Sequence, residues 1–298
     1  MNQPIFSVIV PTYGRPRQLT TCLQALAHLH YPREQFEVIV VDDGSATPLD
    51  GVIAAFHDHL DVTLLRQSHA GPAAARNTGA AHAKGQFFAF TDDDCTPAPD
   101  WLQTLQLRFA TTPNQIIGGQ TRNALPANPY STASQIIIDM VYAYYNADPG
   151  RARFFASNNL ALPASRFHAI GGFDATFTTS EDRELCDRWR HHGYCMTYAP
   201  EVIVYHAHAL TLRTFWRQHF NYGRGASRFH RIRACRGSGR FRQELNFYTR
   251  LPYFLCRSLS PERGMRVLLL PALMLVWQGA NAAGFLWERI NWGKLMKS

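Results

Sequence analysis

The apolar positions of this chain change period several times, and the changes mark out its elements. Ser7-Val8-Ile9-Val10-Pro11-Thr12 and Phe36-Glu37-Val38-Ile39-Val40-Val41 are short β-branched runs that predict strands. Between them, after the break at Gly14-Arg15-Pro16, Leu19, Cys22, Leu23, Leu26 and Leu29 recur at helical spacing. Residues 62–65 read as a weak strand, 71–83 as a helix that begins after Pro72, and Phe87-Phe88-Ala89-Phe90 as a continuous apolar strand of the kind buried on both faces. Repeated β-α units of this sort predict an α/β fold, a mostly parallel, Rossmann-like sheet with helices on both faces. Further on, a helix with Leu185 and Trp189 on its apolar side follows Asp182, a strand covers 202–208, and 267–287 is a long apolar stretch interrupted by Pro271.

Two of the strands end in acids. The apolar run to Phe90 stops at Asp92-Asp93-Asp94, and the second strand stops at Asp42-Asp43-Gly44-Ser45. Ligands of open α/β sheets collect at the carboxyl ends of the strands, so both acid clusters fall where a ligand would sit. Adjacent carboxylates repel unless a cation or hydrogen-bond donors hold them, and Asp92 and Asp94 can reach one oxygen-loving divalent ion, Mg²⁺ or Mn²⁺. Such an ion keeps positions open for substrate phosphates. The plainer alternative is a solvated acidic turn ahead of a helix starting near Trp101. Asp42 and Asp43 suit ribose hydroxyls or the imide N–H of a pyrimidine as hydrogen-bond acceptors. Neither G-x-G-x-x-G nor G-x-x-x-x-G-K-[ST] occurs after the first strand, which gives dinucleotide-binding and P-loop readings no support.

Composition narrows the setting. With 46% hydrophobic and 17% charged residues in 298, the chain is of ordinary globular make-up. Its six cysteines form no C-x-x-C pair, so neither a zinc ribbon nor a disulfide framework is indicated, and a reducing cytoplasm is expected. The N-terminal segment reads as a first core strand and not as a signal peptide. The formal charge of +8 conceals a split: residues 1–212 hold 14 Lys and Arg against 19 Asp and Glu, whereas 213–266 hold 13 Arg against Glu244 and Glu262. The basic segment points to anionic partners: a phosphate-bearing substrate, an anionic membrane surface or nucleic acid.

The motifs Ser7-Val8-Ile9-Val10-Pro11-Thr12-Tyr13, Val40-Val41-Asp42-Asp43-Gly44-Ser45, Gly71 with Ala75-Arg76-Asn77-Thr78-Gly79, and Asp92-Asp93-Asp94 follow one another in register. With Ser157-Asn158-Asn159-Leu160-Ala161-Leu162, Gly171-Gly172-Phe173-Asp174 and Glu181-Asp182-Arg183-Glu184-Leu185-Cys186-Asp187-Arg188, this order resembles the family 2 glycosyltransferases over about residues 5–225. The resemblance implies an A-type glycosyltransferase fold, a UDP-, dTDP- or GDP-linked sugar donor, a divalent metal and inversion at the anomeric carbon. Position by position, it implies that Pro11, Tyr13 and Arg15 line the base pocket, that Asp42 and Asp43 hold base and ribose, and that Arg76 lies near the nucleotide. Asp92 would touch ribose or metal, Asp93 fills the variable middle position on the donor side, and Asp94 is the metal ligand. Asp182 matches the general base, with Glu181 orienting or binding substrate, and Asn158 and Asn159 would meet sugar hydroxyls. The strand at 202–208 ends in His206 and His208 on one side; His206 is the preferred extra metal ligand and His208 the alternate. Arg213, Arg217 and Arg224, in a segment resembling the Tyr-Gly-Arg-Gly stretch of some members, would close on the diphosphate.

The Gln-x-x-Arg-Trp motif of processive synthases is missing, which favours addition of a single sugar. The expected organisation is a catalytic domain over 1–225, split near 110 into nucleotide-sugar and acceptor halves, followed by a helical extension over 226–298. The apolar stretch within the extension could cross a membrane, lie on it or pack as a soluble helix pair, and an Arg-rich approach to it suits a glycan or lipid-linked acceptor in cell-surface synthesis from the cytoplasmic face. Two competing readings are a sugar-nucleotide nucleotidyltransferase, which should carry a Gly-rich loop with a Lys where this chain has Tyr13-Gly14-Arg15-Pro16, and a non-catalytic adaptor. The adaptor would stack bases on Phe229, Phe241, Phe247 and Tyr248 among the arginines. Retention of Asp92, Asp94 and Asp182 disfavours it, and with it nucleic acid as a partner.

Overall fold

The computed structural model describes residues 4–239, 246–247, 249–251, 253 and 266–295; Phe241, Tyr248 and Cys256 lie outside the described residues. The chain forms two compact units, one from residues up to 122 together with 148–207, the other from 123–147 with the described part of 208–298. The boundaries of these units fall at 122, 148 and 207.

The first unit is built on one sheet. Strands β1 (Phe6–Thr12), β2 (Phe36–Asp42), β3 (Val62–Arg66) and β4 (Phe87–Phe90) run parallel, with Phe6 opposite Phe36 on one side and Phe87 on the other. Every residue of β1, β2 and β4 is buried, as their unbroken apolar runs require of strands covered on both faces. Helices α1 (Pro16–Ala27), α2 (Asp50–Ala54) and α3 (Pro72–His82) make the crossovers. Leu19, Cys22, Leu23 and Leu26 of α1 pack into the main core with Val8, Val10, Val38 and Val40.

The rest of the sheet is antiparallel. After the three acids come β5 (Cys95–Pro97), α4 (Trp101–Thr111) and β6 (Ile116–Asn123), then β7 (Leu160–Pro163), α6 (Ala164–Ala169), α7 (Glu181–His191) and β8 (Met196–His206). The strand order is β3-β2-β1-β4-β7-β6-β8-β5, with β7 antiparallel to β4 and β5 antiparallel to β8. The parallel character thus belongs to the half that carries the acid-ended strands. A buried side chain ties the antiparallel half together: Asn159 accepts from Trp101 Nε1 at 3.0 Å and donates Nδ2 to the carbonyls of Gln120 (3.0 Å) and Val202 (2.9 Å).

The second unit is helical. In it α5 (Pro129–Tyr145) is capped by Asn128, whose Oδ1 accepts from the backbone of Tyr130 and Ser131, and α8 (Leu212–Arg236) begins with a Thr211–Thr214 capping box. The apolar stretch forms α9 (Arg266–Leu295), which runs on through Pro271. Leu270, Leu273, Met274 and Trp277 of α9 pack on Ala133, Ile136, Ile137 and Met140 of α5 and Phe215 of α8. Phe229 and Phe247 are buried as well, so neither ring is presented for base stacking.

Helices α8 and α9 approach closely at two glycines. A Cβ on Gly223 would sit 2.1 Å from the Asn281 carbonyl oxygen, and one on Gly284 would sit 1.9 Å from that of Phe220. Overpacking of this kind forces backbone apart. Gly284→Val is expected to lower stability by about 3 kcal/mol, measured by urea denaturation followed by circular dichroism.

Candidate active site

The acid triplet follows β4 directly, and its three carboxylates part company. Asp93 turns inward, 2% exposed, and accepts from the Thr12 hydroxyl at 2.7 Å, with Arg15 Nη1 at 3.1 Å. Burial pushes its pKa up to about 6 against the opposing pull of Arg15 and Thr12. Asp94 pairs with Arg15 Nη1 at 2.9 Å and with His206 Nε2 at 3.2 Å. Asp92 turns to Arg76, whose Nη2 donates to it at 2.7 Å.

The position of His206 follows from the β5–β8 pairing. Cys95 lies opposite His206 in that ladder, and the Ala207 N–H donates to the Asp94 carbonyl at 2.8 Å, so the last residue of β8 is pinned beside the acid. Burial alone would lower the His206 pKa, but Asp94 reverses this and leaves it raised. Donor atoms of Asp94, Cys95 and His206 all lie within 4.8 Å of one another. Burial, and then the charges of Asp92 and Asp94, hold the Cys95 thiol well above its ordinary pKa.

Arg76 links these acids to the next pair. Its guanidinium is 3% exposed and donates through Nη1 to Glu181 at 2.9 Å while Nη2 holds Asp92. Among the described residues its buried Nε has no hydrogen-bond partner, and the Phe173 ring lies 5.6 Å from the guanidinium carbon. Next to it, Asn77 pairs with the backbone of Phe173 in both directions, Nδ2 to the carbonyl at 2.7 Å and Oδ1 from the N–H at 2.8 Å. The turn so clamped needs Gly172, with φ of 70° and no room for a Cβ beside Asn77 Oδ1. Arg188 holds the same turn from α7, donating to the carbonyls of Ile170 and Gly172 and to Glu184.

Glu181 and Asp182 open α7 directly after Ser180, a non-glycine residue in left-handed geometry with φ of 69°. The two carboxylates are held differently. Glu181 is fixed in the ion pair with Arg76, whereas Asp182 accepts from the backbone N–H of Arg183 at 2.7 Å. Desolvation, and then the charge of Glu181, raise the Asp182 pKa well above the ordinary carboxylate range.

The other residues singled out in the sequence are placed as follows. Asp43 is 4% exposed and accepts from Gln67 Nε2 (2.7 Å), Ala70 N (2.9 Å) and Gly71 N (2.8 Å), so its carboxylate organises the loop before α3. Asp42 accepts from Ser45 N at 2.9 Å. Tyr13, half exposed, packs its ring 4.4 Å from that of His69, while Pro11 is buried within β1. Asn158 accepts from Thr121 at 3.2 Å, and Asn159, 1% exposed, is turned into the fold with its amide already used there. Arg213, Arg217 and Arg224 belong to the second unit, with Arg224 paired to Glu288 at 2.9 Å and stacked 4.4 Å over Trp287; His208 belongs there too, its carbonyl accepting from Ser131 Oγ. Thr12, Asn77 and Arg188 stand within motifs that assign them no role; here Thr12 holds Asp93, while Asn77 and Arg188 hold the turn at Gly172.

A curled sheet bearing an acid triplet beyond its fourth strand is the frame of an A-type glycosyltransferase, and solved structures agree. Mannosyltransferase PcManGT from Pyrobaculum calidifontis, in complex with GDP-Man and Mn²⁺, shares the fold with a TM-score of 0.69 over 97% of this chain and 88% of its own, at 21% identity. The model of glycosyl transferase family 2 matches residues 7–176, and the chain belongs to that family. Glycosyltransferase AglE of Haloferax volcanii is 27% identical over 225 residues, 74% of this chain and 73% of the relative. The pre-mycofactocin glycosyltransferase of Mycobacterium tuberculosis is 30% identical over 231 residues, again 74% of this chain, which spans 46% of that relative's length.

Removing the Arg76 cation strands two carboxylates against each other. Arg76→Met is expected to cost about 3–5 kcal/mol near neutral pH, and the deficit shrinks on acidification as the stranded acids take up protons. Urea melts of both proteins at two pH values measure it.

Proposed function

We propose that this chain is a metal-dependent, inverting glycosyltransferase that moves one sugar from a nucleotide-sugar donor to a hydroxyl of a glycan or lipid-linked acceptor, in cell-surface synthesis at the cytoplasmic face. The observation that carries the reading is the Arg76 bridge: one buried guanidinium holds Asp92 of the donor-side triplet and Glu181 beside Asp182, so both sets of acids serve one site. Sugar transfer from nucleotide-sugar donors is the chemistry of the family.

The donor set fits a hard divalent cation. Asp94 and His206 offer oxygen and nitrogen at one point, in keeping with Mg²⁺ or Mn²⁺, while Asp92, two residues before Asp94, is held here by Arg76 and would have to leave it to reach the same ion. A bound cation there would supply charge neutralisation for the diphosphate leaving group. PcManGT, which holds Mn²⁺ and GDP-Man, supports this assignment by analogy of fold. Arg15, now paired with Asp93 and Asp94, is a cation already at the same point.

Asp182 acts as the base. It takes the proton from the acceptor hydroxyl while that oxygen bonds to the anomeric carbon and the bond to the diphosphate oxygen breaks on the opposite face, which inverts the configuration. Glu181 is the poorer candidate because its charge is held by Arg76, whereas Asp182 has a raised pKa that makes it a stronger proton acceptor. Tyr13, His69 and the loop organised by Asp43 form the surface against which the base of the donor packs, with Asp42 beside it.

Calorimetric titration with UDP, dTDP and GDP, in Mn²⁺ and then in EDTA, tests the donor site: binding of one nucleotide that is lost in EDTA and in Asp94→Ala is expected, and metal-independent binding overturns the metal assignment. Asp182→Asn should bind that nucleotide within about twofold of the parent and lose about 10²–10⁴-fold in transfer. Full turnover by this variant removes Asp182 as base.

The base works deprotonated, and its pKa is raised. The rate is therefore expected to fall as pH drops through a value above the ordinary carboxylate range, with kcat/KM flat on the alkaline side of it. A pH profile whose acid limb lies near pH 4 would contradict this.

A further inference from the structure

The outer face of α9 is apolar where a water-facing helix should be polar. At 100° per residue, Leu268, Ala272, Leu275, Gly279, Ala282, Leu286 and Ile290 fall within an arc of about 80°, and all are exposed. Leu268 is 78% exposed, Leu275 76%, Leu286 57% and Ile290 64%. This stripe is distinct from the buried face of Leu270, Leu273, Met274 and Trp277 that packs on α5 and α8. It runs for about 33 Å at the α-helical rise of 1.5 Å per residue. A contiguous exposed apolar strip of this length marks a contact surface.

Its border has a definite chemistry. From α8, Trp216 reaches the stripe, its Cζ3 lying 4.0 Å from where a Cβ of Gly279 would be, and the exposed Leu212 stands one turn earlier. Trp287, partly exposed, carries the Arg224 guanidinium 4.4 Å over its ring. Arg213 and Arg217 on α8 and Arg289 on α9 are exposed. An apolar strip with exposed tryptophans and an arginine fringe matches the acyl–headgroup boundary of an anionic bilayer.

We propose that this α8–α9 face docks on an anionic membrane surface with α9 lying in the plane of the interface. A crossing orientation is disfavoured by α8, which packs alongside α9 and carries Arg213, Arg217, Arg224, Arg228, Arg231, Arg233 and Arg236. The excess of 13 Arg over two acids across 213–266 disfavours a second copy as the occupant and favours anionic lipid. The docking stands on the second unit's own surface and does not depend on the assignment of donor, metal or base.

The test uses the full chain and sedimentation with sucrose-loaded vesicles. Binding to vesicles of phosphatidylcholine with 30% phosphatidylglycerol is expected, at least tenfold weaker on pure phosphatidylcholine and in high salt. The double variant Leu275→Asp with Leu286→Asp, which alters exposed positions, should keep its circular dichroism and thermal unfolding and lose vesicle binding at least tenfold. Nucleotide titration of both proteins reads the first unit separately, so a failed catalytic assignment would leave the vesicle result standing. Absence of binding to anionic vesicles, or equal binding by the variant, overturns the proposal. A concentration-dependent dimer abolished by the two substitutions would assign the face to a second copy and overturn it equally.

Discussion

A single buried cation governs the candidate site. Arg76 comes from the helix after β3, Asp92 from the end of β4 and Glu181 from the start of α7, so three segments far apart in sequence are fixed by one guanidinium. Burial of the guanidinium by itself would lower its pKa, but the two carboxylates outweigh that and keep it firmly charged. The neighbouring Asn77 and the Arg188 of α7 then hold the turn at Gly172 on which the arrangement rests. The consequence is specialisation among adjacent acids. Asp92 and Glu181 share the buried Arg76, while Asp94 pairs with Arg15 and His206 and Asp182 accepts from the Arg183 N–H.

How much of this could be read in advance depended on whether the signal was local. The strands β1, β2 and β4 announced themselves because two-sided burial demands unbroken apolar runs, and the acids at their ends stood out as charges no core would tolerate. The helix of Leu19, Cys22, Leu23 and Leu26 followed from its period. The three-residue β5 carried no period of its own; it exists because β8 pairs with it, a contact more than a hundred residues distant in sequence. The antiparallel insertion of β7 between β4 and β6 was hidden for the same reason.

Single side chains divide along similar lines. Motif spacing brought out Asp94, Asp182 and His206, and the fold sets Asp94 beside His206. Spacing could not tell Asn158 from Asn159, since only the approach of Trp101 and Val202 turns the second amide inward. Nor could it show that Asp43 faces its own loop or that Arg224 meets Glu288 on a helix sixty residues further on. The packing of α5 with α8 and α9 has no local signal either, because the core they share is made only when the three helices meet.

The loop that Asp43 secures has a thermodynamic consequence for recognition. Its carboxylate already collects the N–H groups of Ala70 and Gly71 and the Gln67 amide, so the loop beside Tyr13 and His69 has its shape without a ligand. The entropy of ordering that segment is charged to folding and not to association. On the proposed assignment, a nucleobase docking there would meet a preshaped loop, discriminating by fit and by hydrogen bonds and not by loop adaptation. Tolerance for several bases would then have to come from changes in the side chains of the loop, not from movement of its backbone.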